Sequence, residues 1–212
     1  MPKPFVIGLT GSIGMGKSET AKLFAAEGVP VHDADAVIAR LYGKGGAAVD
    51  IVAREFPGAV KDGVVDRGAL SAAVTNNPAA LKKLENLVHP LVAAERDGFL
   101  ETATAPIILF DIPLLFETGA DADVNAIVVV SAPEAVQRAR VLSRPGMTAE
   151  KFDALKSRQL DDAQKRQQAH YVVITDKGLE HAREQVKMIL ADIRAKLPAF
   201  ARAKAAKENP HA

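Results

Sequence analysis

Gly11-Ser12-Ile13-Gly14-Met15-Gly16-Lys17-Ser18 stands between an apolar run, Phe5 to Leu9, and a helix-compatible run, Glu19 to Glu27. The spacing is Gly-x4-Gly-Lys-Ser, and its position between a strand pattern and a helix pattern makes it a phosphate-binding loop (P-loop). Glycines at the first and sixth positions let the backbone turn tightly round an anion, while successive N–H groups and the N-terminus of the next helix aim positive partial charge inward. Lys17 supplies a point charge for β- and γ-phosphates, and Ser18 a hydroxyl for a magnesium ion. The residues assigned to the nucleotide are therefore Gly11, Ser12, Ile13, Gly14, Met15, Gly16, Lys17 and Ser18.

Around that loop the chain alternates strand and helix, which predicts an α/β fold with a parallel sheet. Strands are expected at Phe5–Leu9, Val29–Val31, Ile107–Asp111, Ala126–Val130 and Tyr171–Ile174. Ser131-Ala132-Pro133-Glu134 has capping-box spacing and starts a helix to about Leu142. Thr148 caps another to about Leu160. Leu179, Ala182, Val186, Ile189, Leu190, Ile193 and Leu197 make a core-facing stripe on the closing helix. From Ala36 to about Leu100 the pattern is helical with breaks, and reads as an insertion whose last helix starts at Pro78 and is interrupted at His89-Pro90. The implied division is a nucleotide-binding core (1–35, 102–132, 170–198), a helical acceptor domain (36–101), a lid (133–169) and a flexible tail (199–212).

Composition narrows the partners. A net charge of +1 over 212 residues lacks the basic excess of a nucleic-acid binder. With no cysteine, the chain has no disulfides, thiolate nucleophile or cysteine-based metal site. The start of the chain leaves no room for a signal peptide's apolar region, and no apolar run reaches membrane-spanning length. The expectation is a cytoplasmic protein with no nucleic-acid or membrane partner, a monomer or small homo-oligomer.

Asp33 and Asp35 follow the second strand, where open α/β sheets carry their ligand chemistry. One can cap the next helix; the other can take a proton from a hydroxyl attacking a phosphoryl group. Asp111 ends a buried strand, as a magnesium-binding carboxylate of these proteins does. No Asn-Lys-x-Asp guanine reader exists, which argues against a GTPase switch. Residues 138–168 hold eight Lys or Arg against four Asp or Glu, as a lid over a triphosphate would. Arg144, before Pro145-Gly146, is placed to reach inward.

On Ile7–Ser18, Val31–Arg40, Asp66-Arg67 with Leu70, Leu84–Val92, Phe110–Glu117 and Arg138–Gln159, the chain resembles the dephospho-CoA kinase family. These segments cover about three quarters of the sequence. The combination of Asp-Ala-Asp, His-Pro and Pro-Leu-Leu-Phe-Glu is more specific than the loop alone. The resemblance implies a three-layer P-loop kinase core with a CoA-accepting helical domain and a lid. It also implies ATP as cosubstrate with Mg2+, and phosphorylation of the ribose 3'-hydroxyl of dephospho-CoA. By the same resemblance Asp35 is the catalytic carboxylate, His89, Pro90 and Leu114 lie with it on the substrate side, and Arg144 is a lid arginine. Two positions depart from the family pattern: Leu155 stands where an arginine precedes Gln159 by four, and Arg144-Pro145-Gly146-Met147 replaces Arg-Asp-Gly-Leu. Two other readings compete, a shikimate-type or other small-molecule kinase and an ATP-sensing protein that transfers nothing.

Overall fold

The computed structural model describes residues 3–208 and separates them into two compact units, one built from the stretches up to Val31 and from Thr104 onward, the other from His32–Ala103. The first unit is organised on a five-stranded parallel sheet. Its strands are β1 (Phe5–Thr10), β2 (Val31–Asp33), β5 (Ile107–Asp111), β6 (Ala126–Ser131) and β7 (Tyr171–Ile174), in the spatial order β2-β5-β1-β6-β7. β1 pairs in parallel with β5 and β6, and β6 with β7. All of β1, β5 and β6 is buried, which is why these segments read as unbroken apolar runs. One face of the sheet, with Ile7, Leu9, Leu109, Val128 and Val130, packs with α1 (Lys17–Ala26) and α9 (Leu179–Glu208) through Phe24, Val186, Leu190 and Ile193. The other face is covered by the segment after β5. A Cβ on Gly8 would sit 3.1 Å from Val124 and 3.3 Å from Leu115.

The second unit carries its own core. In it α2 (Ala34–Tyr42), α3 (Val49–Glu55), α4 (Arg67–Val74) and α5 (Pro78–Thr102) gather around Val37, Leu41, Val52, Phe56 and Leu70. A two-residue antiparallel hairpin, β3 (Val60–Lys61) with β4 (Val64–Val65), lies among them. The sequence pattern did not predict it, because two-residue strands carry no periodicity.

Several boundaries differ from the expectations. β2 begins at Val31, with Pro30 contributing its carbonyl to Leu109 N–H at 2.9 Å. The predicted capping box does not form. Helix α6 (Glu134–Leu142) has Pro133 at its N-cap with no side-chain bond, because Ser131 is the last residue of β6 and its hydroxyl donates to Asp162 at 2.7 Å. Thr148 does cap α7 (Ala149–Lys156), but that helix stops short of Leu160, and Asp161 caps a further helix, α8 (Asp162–Gln167). Pro90 does not interrupt α5. The proline and the residue four before it are both exposed, so the carbonyl left without a donor sits within reach of water. Pro198 likewise lies inside α9, which continues to Glu208, and Phe200 meets Phe5 edge to face at 5.1 Å. The first part of the tail expected from residue 199 is thus helical backbone continuous with α9; residues 209–212 lie outside the described part. Leu179, assigned to the buried stripe, is half exposed in the first turn.

Candidate active site

The glycines of the 11–18 loop serve different ends. Gly11 has an ordinary backbone but presses against β6: a Cβ there would lie 2.7 Å from the Val130 carbonyl oxygen. Gly14 takes a positive φ of 80°, and a Cβ on it would fall 2.5 Å from a methyl of Val141 on α6. Gly16 is the N-cap of α1, and no side chain caps that helix, so its first-turn N–H groups are presented by the backbone alone.

Side chains from outside the loop then fix it. Ile13 N–H donates to Gln159 Oε1 at 2.9 Å, and Gln137 Nε2 donates to the Ile13 carbonyl at 2.8 Å. Thr175 Oγ1 donates to the Met15 carbonyl at 2.7 Å. It is itself held by Arg140, whose guanidinium donates to Thr175 Oγ1 at 2.9 Å and to its carbonyl at 2.7 Å. Ala132 N–H reaches the Met15 sulfur at 3.2 Å. Successive loop peptides are thus held from α6, from the stretch after α7, and from the end of β7.

Lys17 Nζ lies 2.5 Å from Asp111 Oδ1, with 15% and 6% of the two side chains exposed. The parallel register makes this possible, since Asp111 stands opposite Leu9 across β1 and β5. The lysine assigned to phosphates and the carboxylate assigned to magnesium are partners here. Each offsets the cost of burying the other's charge. Ser18 is exposed in the first turn of α1. A cavity of about 420 Å³ opens on the same loop, lined by Gly14, Gly16, Thr20, Arg140, Arg144 and Asp176. Of the cations in residues 138–168, Arg140 and Arg144 face this cavity. Arg138 instead pairs with Asp153 at 3.2 Å and lies over the Phe152 ring.

The stretch between α7 and α8 has a second anchor. Leu160 N–H donates to Glu117 Oε1 at 2.7 Å, and Glu117 also pairs at 2.8 Å with Lys165, which is fully buried. Burial by itself pushes the Glu117 carboxyl up, but the Lys165 ammonium and the Leu160 N–H together hold it below its ordinary value. Leu114, 39% exposed, lies in the turn between β5 and Glu117.

In the second unit Asp33 Oδ1 accepts from Ala36 N–H at 3.0 Å and is the N-cap of α2, which leaves Asp35 exposed in the first turn. His89 and Pro90 are exposed on α5, and α2 is tied to α5 by Arg40 and Glu95 at 2.7 Å. His32, the middle residue of β2, is buried with its ring 5.2 Å from that of Phe99. Burial first, and the Arg40 charge second, lower its pKa.

The loop residues, Lys17, Asp111 and Arg144 therefore come together in the first unit. Asp35, His89 and Pro90 belong to the second. Gln137, Gln159, Thr175 and Glu117 were missed as site residues, and Arg140 and Lys165 were seen only as two cations among eight. Gln159 and Glu117 had a signal in the family-like segments that end on them. Thr175 had none, because its role depends on where β7 ends beside the loop.

The family model that matches this chain, over residues 5–181, is described as dephospho-CoA kinase. A dephospho-CoA kinase from Cereibacter sphaeroides is 54% identical over 192 residues, covering 91% of this chain and 97% of that one. One from Mesorhizobium japonicum is 53% identical, covering 89% and 96%. Among solved structures, TT1252 from Thermus thermophilus superposes with a TM-score of 0.81 at 36% identity, over 90% of this chain and 98% of its own.

Proposed function

The chain belongs to the dephospho-CoA kinase family, and on that premise we propose that it moves the γ-phosphoryl group of ATP to the ribose 3'-hydroxyl of dephospho-CoA, giving coenzyme A and ADP. The observation that carries the reading is a P-loop fixed by its surroundings, whose Lys17 is paired with Asp111 and whose Gly14 and Gly16 share a cavity with Arg140 and Arg144. Phosphoryl transfer needs little covalent chemistry from a protein, chiefly aligned oxygens and fixed positive charge. In this reading the loop N–H groups and Lys17 hold the β- and γ-phosphates, and Arg144 offsets charge that spreads over the transferring group. Asp35 accepts the proton of the 3'-hydroxyl as its oxygen bonds to phosphorus. The bond from the γ-phosphorus to the β–γ bridging oxygen breaks, and ADP leaves with that electron pair. Its exposure suits this role, since a base must be reachable by its substrate. His89, Pro90 and Leu114 are assigned to the acceptor side.

Ser18 and Asp111 would hold Mg2+. A hydroxyl and a carboxylate are the hard oxygen donors that ion prefers, and Asp111 stands beside the phosphate-binding Lys17. Held there, the ion would supply neutralisation of phosphate charge. The reading extends to a cytoplasmic monomer or small homo-oligomer without nucleic-acid or membrane partners. It is supported by the absence of cysteine and the near-neutral charge; among the described residues no helix is long and apolar enough to cross a membrane.

The shikimate-type alternative gives way to the family match. A coupled ADP-release assay with dephospho-CoA, shikimate and nucleoside monophosphates tests the rest. Release with dephospho-CoA alone is expected, with the new phosphate at the 3' position by phosphorus NMR. ATP binding without release for any acceptor would favour the sensor instead.

A further inference from the structure

At Ile13 both backbone polar groups are held by side chains, and they belong to two successive peptide planes. The Ser12–Ile13 peptide is held by its N–H on Gln159, and the Ile13–Gly14 peptide by its carbonyl under Gln137. Gln137 is 1% exposed on α6, so its amide is committed to this bond. Gln159 is half-buried in the stretch between α7 and α8. The next residue in that stretch, Leu160, is bonded to Glu117, and Glu117 in turn is paired with buried Lys165.

A cradle made of backbone N–H groups fails if one peptide turns over and presents its carbonyl oxygen to the anion. The Ile13–Gly14 peptide is the exposed risk, because glycine beside it, at a φ of 80°, puts little steric resistance in the way of such a turn. We infer that Gln137 and Gln159 are positioning residues for ATP: Gln137 donates to the Ile13 carbonyl and keeps it out of the phosphate site, and Gln159 accepts from the Ile13 N–H and fixes the preceding peptide, so that the two planes on either side of Ile13 cannot turn over together. The inference rests on the ATP-binding part of the function proposed above. It also makes the 157–161 stretch a determinant of nucleotide affinity, since Gln159 is carried there.

The two roles have opposite polarity, and that is the test. Glutamate at 159 keeps an acceptor for the Ile13 N–H, whereas glutamate at 137 sets a carboxylate against a carbonyl. Methionine at either place keeps the length and removes the bond. MgATP affinity is measured by equilibrium titration for Gln159→Met, Gln159→Glu, Gln137→Met and Gln137→Glu, with the melting temperature of each chain as a control. Gln159→Met is expected to weaken binding roughly tenfold, as loss of the partner of a half-buried donor that positions the loop does. Both glutamates flank one residue, so repulsion of ATP by the added charge weakens each and cancels in the comparison of the two sites: the Glu-to-Met affinity ratio should be larger at 159 than at 137. In the active variants the KM for dephospho-CoA should stay within about twofold of the parent. A Glu-to-Met ratio at 159 no larger than that at 137, or unchanged affinity in both methionine variants, overturns the inference. If the buried Gln137 variants fail to fold, the affinity of the uncharged Gln159→Met variant decides alone: parental affinity there overturns the inference. A parent chain that binds MgATP but releases no ADP with dephospho-CoA breaks the acceptor reading and leaves this comparison intact.

Discussion

The loop at residues 11–18 and the acidic turn at residues 33–35 both follow a strand and open a helix, yet they are built on opposite principles. Around the loop, Gln137, Gln159, Thr175 and Arg140 secure backbone groups from elements far away in sequence, and the charged pair Lys17–Asp111 is almost wholly buried. At the turn, Asp33 spends its carboxylate on a local cap three residues on, and Asp35 projects from the first turn of α2 exposed. The difference suits the roles proposed for each. A backbone N–H stabilises an anion only if it already points the right way, so a phosphate site has to be made rigid beforehand. A carboxylate that takes a proton from an incoming hydroxyl must instead remain accessible, and its position is set by one helix start.

The contrast can be broken most forcefully at the buried support of the first region. Glu117→Ala leaves the Lys165 ammonium buried without its carboxylate, and a loss of about 3–5 kcal/mol in unfolding free energy is expected from denaturant titration. A loss below about 1 kcal/mol would make the pair equivalent to a surface ion pair and remove one anchor of the 157–161 stretch.

At the acidic turn the expectation is the reverse. Asp35→Asn should cut turnover by at least ~10²-fold as a lost general base does, while the melting temperature and MgATP affinity stay unchanged. Near-parental turnover would remove Asp35 from the chemistry; a large fall in stability would show that the turn is as interlocked as the loop.

The smallest effect is expected from pH at His32. Its pKa is lowered in the fold, so below the ordinary value of 6.5 the unfolded chain takes up a proton that the folded one resists. The contribution is complete above that value and is lost as the pH falls through the window beneath it. The melting temperature should drop by a few degrees more between pH 7.5 and pH 5.5 in the parent than in His32→Gln, a modest amount for a domain of this size. Equal drops would show that other groups carry the acid sensitivity.

Much of this was legible in one dimension. The Gly-x4-Gly-Lys-Ser spacing, the apolar runs of β1, β5 and β6, and the carboxylate ending β5 depend on neighbours a few residues apart, and such patterns survive in a linear string. The two-residue hairpin at 60–65 and the persistence of α5 through Pro90 were not legible. A short strand has no period, and whether a helix tolerates proline depends on whether water can reach the freed carbonyl. The Ser131 capping box failed for a related reason: the hydroxyl had a better partner in Asp162, thirty-one residues on.

By itself the sequence determined that this chain holds a phosphate cradle opening on a helix, that a parallel sheet carries it, and, through motifs spread over most of its length, which family's chemistry it performs. Tertiary structure alone decided what keeps the cradle in shape. Arg140 rather than any neighbouring cation braces Thr175, Gln159 reaches Ile13 across 146 residues, and Lys17 meets Asp111 across 94. Those choices rest on hydrogen-bond distances between strand ends and helix faces that only folding brings within 3 Å, and no local pattern encodes such a distance.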